Sequence, residues 1–249
     1  MDIIASKQES PTLIAAGLCF GYSGSKCAGV EIFRDLNFQC DAMQSISIMG
    51  RSGVGKTTLC RLLAGLLRPS GGNITLYGQK LLGPTTDIGI MFQDSPCFPW
   101  LTVEDNIRFG YRGSNRDHLN YLIDRLGLAS VRYRYPKELS GGMRQRVALG
   151  RALAVDPSCL IMDEPFSALD IVTKSQIIDL IKHLQEEKHF GAIYVLHSLE
   201  DAVATSDKIL VLGSRPAKFT AQFDLKQNRE FRILRADVSN AMMDLSRGQ

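Results

Sequence analysis

The stretch Ile46-Ser47-Ile48-Met49-Gly50-Arg51-Ser52-Gly53-Val54-Gly55-Lys56-Thr57-Thr58 passes from an apolar strand pattern through a glycine-rich loop into a helix pattern. It satisfies GxxxxGK[ST] in the strand–loop–helix setting where that motif holds a phosphate. Gly50, Gly53 and Gly55 permit backbone conformations and a close ligand approach that a Cβ would obstruct. Arg51, Ser52 and Val54 complete the loop, so that successive N–H groups from Gly50 to Thr58 face an anion at the positive end of the next helix. Lys56 is placed to reach the β- and γ-phosphates and the Thr57 hydroxyl to ligate Mg²⁺.

Outward from that loop, the remaining chain reads as one α/β protein. The 249 residues are 45% hydrophobic and 22% charged, enough for one large domain or a core with an insert. A net charge of +3 lacks the concentrated basic character of a nucleic-acid binder. The six cysteines form no CxxC pair and match no zinc spacing, which predicts reduced thiols. Cys60, one turn past the loop, reads as either a buried inert thiol or an oxidation-sensitive one. No apolar run is long enough to span a bilayer, so work at a membrane implies a peripheral partner.

Before the loop, residues 12–20 and 31–38 read as strands around a Gly/Ser-rich turn that includes Tyr22. That ring fits adenine stacking or simple surface packing. After the loop, apolar residues at 59, 62, 63, 66 and 67 predict a helix reaching Leu67, stopped by Pro69-Ser70-Gly71-Gly72. Residues 73–77 and 87–92 read as strands, the second followed by Gln93 at a sheet end where ligands bind. Gln93 suits Mg²⁺ ligation, the orienting of a water, or an ordinary hydrogen bond. Residues 94–140 change character, with an aromatic loop Phe98-Pro99-Trp100 and helical patterns at 103–109 and 116–126. The aromatic loop fits either a partner helix or plain packing.

Ser140 then predicts an N-cap for a helix over 143–154, and Gly141 and Gly142 fit either a second anion site at its first N–H groups or a simple capped helix start. The buried-strand pattern Cys159-Leu160-Ile161-Met162 ends in Asp163-Glu164. Adjacent carboxylates there are costly without a partner; they suit a Mg²⁺ site for Asp163 and a water-polarising base for Glu164, or else a salt-bridged surface pair. Phe166–Asp170 turns into a helix over 171–188, and the strand 192–196 ends at His197, within reach of a γ-phosphate or in a structural role. Strands at 208–212 and 218–224 and a helix at 236–245 complete the pattern.

Taken together, these motifs resemble the ATP-binding subunit of an ABC transporter over about residues 12–213. The resemblance implies a P-loop NTPase (RecA-like) α/β core with an N-terminal antiparallel β-subdomain. It implies a single ATP-binding domain over 1–249, with a helical insert subdomain at about 94–150 and a C-terminal extension at about 214–249. It makes Tyr22 the adenine-stacking aromatic, Gly50–Thr58 the Walker A loop, Gln93 the Q-loop and Ser140-Gly141-Gly142 the signature acting in trans. Asp163 becomes the Walker B aspartate, Glu164 the catalytic glutamate, Ser167–Asp170 the D-loop and His197 the switch histidine. ATP and Mg²⁺ are the implied cofactors. The implied partners are a second ATP-binding subunit (identical or paralogous), a transmembrane permease and, indirectly, an extracytoplasmic solute-binding protein, with the chain peripheral on the cytoplasmic membrane face.

Phe98–Val103 and Gly213-Ser214-Arg215-Pro216 look like the importer branch for nitrate, sulfonate, taurine or similar anions. Three departures stand out: Asp41-Ala42-Met43 where Gly-Glu is usual, Asp94 after Gln93, and Ser198 after the histidine. Another importer, a DNA-repair or translation ABC ATPase, and a non-hydrolysing nucleotide sensor are the competing readings. The insert is too short for a repair-type coiled coil, translation members usually carry two cassettes in one chain, and Glu164 with His197 argues against a sensor.

Overall fold

The computed structural model describes residues 13–22, 30–93, 97–111, 113, 116–167, 169–225 and 238. The chain divides into two compact units, 1–85 with 191–249 and 86–190.

The first unit carries two sheets. Strands β1 (Leu13–Tyr22), β2 (Val30–Cys40), β4 (Gly71–Leu76) and β5 (Gln79–Lys80) pair antiparallel in the order β2-β1-β4-β5. Strands β3 (Ser45–Gly50), β8 (Gly191–Val195) and β9 (Lys208–Gly213) run parallel with β3 central, and β10 (Lys218–Asp224) closes against β9 antiparallel. Every residue of β3 and β8 is buried, the mark of parallel strands covered on both faces. Helices α1 (Lys56–Leu63) and α6 (Leu199–Thr205) follow β3 and β8.

The predicted extension of α1 to Leu67 is a misreading. The helix stops at Leu63 because Gly65 takes φ +72, with Gly65 N–H donating to the Leu62 carbonyl and Leu66 N–H to Arg61 at 2.8 Å. This Schellman arrangement satisfies carbonyls that would otherwise be orphaned. Tyr22 likewise stands in β1 opposite Val30 rather than in the turn, and β4 begins at Gly71, two residues earlier than predicted. β8 ends at Val195, so His197 lies two residues beyond it instead of at the strand terminus. Ser198 caps α6, accepting from Asp201 N–H at 3.1 Å, which gives this departure from the usual aspartate a physical role.

The second unit pairs β6 (Ile88–Met91) with β7 (Cys159–Asp163) in parallel and adds α2 (Val103–Gly110), α3 (Arg116–Arg125), α4 (Gly141–Leu153) and α5 (Ile171–Lys188). The helix predicted from Met143 starts two residues earlier, at Gly141, with Ser140 as its cap. Among the described residues no helix is long and apolar enough to cross a membrane, and five cysteines are all thiols. Cys60 is fully buried, in keeping with its inert reading. The helix expected at 236–245 and residue Asp94 lie outside the described residues, apart from the buried Val238.

Candidate functional site

In the first unit the phosphate loop leaves β3 at Gly50 and enters α1 at Lys56. Gly55 is the helix N-cap at φ +113, and a Cβ there would lie 2.7 Å from Ile32 Cγ2 and 3.0 Å from Phe33 Cζ. The loop therefore rests on β2, whose Phe33 is fully buried. Arg51, Ser52 and Gly53 are exposed, Val54 and Thr57 half-buried. Lys56 is buried, and its ammonium donates to the carbonyls of Gly50 at 2.8 Å and Arg51 at 3.1 Å. The cation is thus held inside the loop by carbonyl dipoles, on the stem where an anionic phosphate would be received. The Tyr22 ring is 45% exposed, enough to offer a face for stacking, and meets Phe20 edge-on at 5.0 Å. Its hydroxyl shares a hydrogen bond with Thr58 Oγ1 at 3.2 Å, so the stacking candidate is tied to the loop helix. His197 is exposed.

In the second unit Asp163 ends β7 in a buried position, and Glu164 follows at φ +51, a conformation unusual for a side-chain-bearing residue. Gln93 Nε2 donates to Glu164 Oε2 at 2.7 Å. Gln93, two residues beyond β6 rather than at its end, and Glu164, next after β7, therefore meet through the Gln93 amide. Ser167 Oγ donates to the Glu164 carbonyl at 3.2 Å, and Gln145 Nε2 donates to the Pro165 carbonyl. Ser140 Oγ accepts from Met143 N–H at 3.3 Å, with Ser140 and Gly141 exposed and Gly142 buried. The N-terminus of a 13-residue helix is thereby capped by Ser140, with Ser140 and Gly141 on the surface at its positive end. Asp170 caps α5 through Thr173 N–H at 2.9 Å and Thr173 Oγ1 at 2.6 Å, and these bonds hold its carboxyl below the ordinary range.

The aromatic loop is packed at one ring and exposed at another. Trp100 is 70% exposed and Phe109 67%, whereas Phe98 is half-buried, 5.5 Å from Trp100, 4.7 Å from Phe109 and beneath the Arg151 guanidinium at 4.7 Å. Burial lowers the pKa of Arg151 and pushes the Cys97 thiol up to about 11. Sequence reasoning missed Asn106, which is fully buried and accepts from Phe98 N–H at 2.7 Å while its amide donates to the carbonyls of Leu101 at 3.0 Å and Thr102 at 2.9 Å. The signal was present: an asparagine on the same helical face as Val103 and Ile107. It also missed Gln145, for which spacing carries no signal.

A family model described as ABC transporter matches residues 33–167. The chain is 36% identical to the nitrate import ATP-binding protein NrtD of Synechocystis over 84% of each chain. It is 35% identical to the taurine import ATP-binding protein TauB of Ruegeria pomeroyi, over 85% of this chain and 78% of that one. It is also 35% identical to the aliphatic sulfonates import ATP-binding protein SsuB of Bacillus cereus, over 79% and 80%. Among solved structures it is similar to cbiO1 from Clostridium perfringens, part of the ABC transporter complex cbiONQ, with a TM-score of 0.79 and 25% identity over 92% and 94%. It is similar too to the ATP-binding cassette MJ0796 in a dimeric post-hydrolysis state bound to ADP and Pi, with a TM-score of 0.75 and 26% identity over 88% and 100%.

Proposed function

This chain belongs to the ABC transporter family, and on that premise we propose that it is the ATP-hydrolysing subunit of an importer for a small organic or inorganic anion. The subunit sits on the cytoplasmic face of a membrane permease, which receives solute from an extracytoplasmic binding protein. The observation that carries the reading is the Gln93–Glu164 hydrogen bond: two residues far apart in sequence converge to hold a carboxylate beside the buried Asp163 at a strand end.

Two copies, or this chain and a paralogue, close on two ATP molecules. The phosphate loop of one chain covers one side of the triphosphate, and the exposed start of α4 in the other supplies further N–H donors through Ser140, Gly141 and Gly142. Closure excludes water and completes the site. Tyr22 stacks on the adenine, Lys56 turns from its carbonyls to the β- and γ-phosphates, and His197 hydrogen-bonds the γ-phosphate. Glu164, oriented by Gln93, aligns the attacking water and accepts its proton.

Thr57 Oγ1 in the first unit, and the Gln93 carbonyl and the acceptor-only carboxylate of buried Asp163 in the second, are each oxygen donors that would suit Mg²⁺, a hard cation that selects oxygen. Mg²⁺, when bound, would neutralise phosphate charge. The aromatic loop 98–100 and Phe109 form the face offered to the permease.

Glu164→Gln should retain ATP binding, lower turnover by ~10²–10⁴-fold, the range for losing a general base, and trap an ATP-dependent dimer. Size-exclusion chromatography with ATP tests this; an unchanged monomer together with normal turnover would overturn the reading. Reconstitution with the neighbouring permease and binding protein, followed by an anion panel that includes nitrate, taurine and an alkanesulfonate, tests the cargo class through stimulated ATPase activity.

A further inference from the structure

We propose that Gln145 is a positioning residue for Glu164, bolting the carboxylate turn to the signature helix of the same chain; this rests on the catalytic assignment of Glu164 above. Glu164 occupies the left-handed region at φ +51 without being glycine, so its neighbours must hold it there. Its side chain is held by Gln93 at 2.7 Å and its carbonyl by Ser167 Oγ at 3.2 Å. Those anchors come from just beyond a neighbouring strand and from the turn itself.

Gln145 differs from both. It stands in the second turn of α4, and its amide donates to the carbonyl of Pro165, the next residue after Glu164. The start of the same helix packs against the first turn of α5, which follows that turn in the chain. A Cβ on Gly142 would run into the Thr173 methyl, and the Thr173 hydroxyl is held by Asp170 Oδ2 at 2.6 Å. Pro165 is therefore tied to α4 by a hydrogen bond, and the Asp170 cap is tied to α4 through Thr173 of α5, which packs on Gly142. Any displacement of the signature residues is carried to the Glu164 backbone through these two contacts.

A donor is essential to this role, because Pro165 presents only a carbonyl. Gln145→Glu keeps the size of the side chain and removes the N–H; Gln145→Lys keeps a donor. Loss of one hydrogen bond that acts on the reacting geometry should lower kcat of the full chain by ~10-fold in the Glu variant. The dissociation constant for ATP should stay unchanged, and the Lys variant should stay within about threefold of the parent kcat.

In the Glu164→Gln background, Gln145→Glu should lower turnover no further, since the group it positions is gone. Equal loss in the Glu and Lys variants, wild-type kcat in both, or a full additive loss in the double variant would overturn the proposal. A Glu164→Gln protein with undiminished turnover would instead overturn the catalytic assignment, which separates the two failures. Should Gln145→Glu fold poorly, a Lys variant with kcat reduced tenfold at unchanged melting temperature serves equally to reject the donor role.

Discussion

The two halves of the nucleotide machinery are held in place by different kinds of force. The phosphate loop is a short continuous segment whose shape is set by backbone conformation and by the apolar floor of Ile32 and Phe33. The carboxylate turn is held by directional side-chain bonds, from Gln93 and Gln145 elsewhere in the chain, from Ser167 within the turn and from Thr173 of α5 to Asp170. A loop built from backbone donors is robust to small changes of sequence around it and intolerant of a Cβ within it. A turn built from side-chain bonds is intolerant of losing any one donor, and its failure appears in catalysis before it appears in folding.

The contrast can be tested from the largest effect downward. Phe33→Ala removes the fully buried floor of the loop and should cost about 3–5 kcal/mol, read by denaturant unfolding. A loss below 1 kcal/mol would mean that the loop holds its shape without that floor. Gly55→Ala forces a side chain into φ +113 and against Ile32 and Phe33; a cost of about 1–3 kcal/mol and loss of measurable ATP binding are expected by titration with a fluorescent nucleotide.

Gly142→Val should act in the opposite manner. Its branched side chain displaces the signature start from Thr173, whose rotamer is held by Asp170, so turnover should fall by ~10-fold while nucleotide affinity of the isolated chain is retained. Equal damage to binding and turnover would erase the distinction between the halves.

The smallest effect concerns acid. Segments 103–104 and 132–134 of the second unit are joined by two backbone bonds and by the paired contacts of Arg132 with Glu104 at 2.7 and 2.9 Å. The Arg132 hydrogen bond holds the Glu104 carboxyl below its ordinary value of 4.5. A carboxyl depressed in the folded state contributes fully above that ordinary value and loses its contribution as pH falls through the folded one. The contribution should be about 0.5–1 kcal/mol, visible as a steeper drop in melting temperature below pH 4.5 for the parent than for Glu104→Gln. Parallel acid limbs in the two proteins would remove the pair from the account.

How much of this was legible in the residues follows the same division. Local signals read well: Ser140 caps α4, Asp170 starts α5 at Ile171, and α5 runs to Lys188 as its periodicity predicts. Where α1 ends did not read well, because apolar Leu66 and Leu67 continue the helical spacing while Gly65 exits it through φ +72. Hydrophobic periodicity reports which face is buried and is blind to a left-handed exit. Met43 is a related case. It stands at φ +58 in the turn before β3, where the sequence departs from the usual glycine-containing pair, and the turn keeps its shape through the Gln44 N–H to Asp41 carbonyl bond at 3.2 Å.

The phosphate-loop motif and the capped helices were determined by sequence alone, since glycine φ preferences and cap bonds act within a few positions of the chain, whereas the seating of the loop on Ile32 and Phe33 was not. The orientation of Glu164 by Gln93, the grip of Gln145 on Pro165 and the hold of Asn106 on the aromatic loop were decided only by tertiary structure. Each requires a directional bond of about 3 Å between groups whose separation is fixed by packing, and residue identity carries that geometry nowhere.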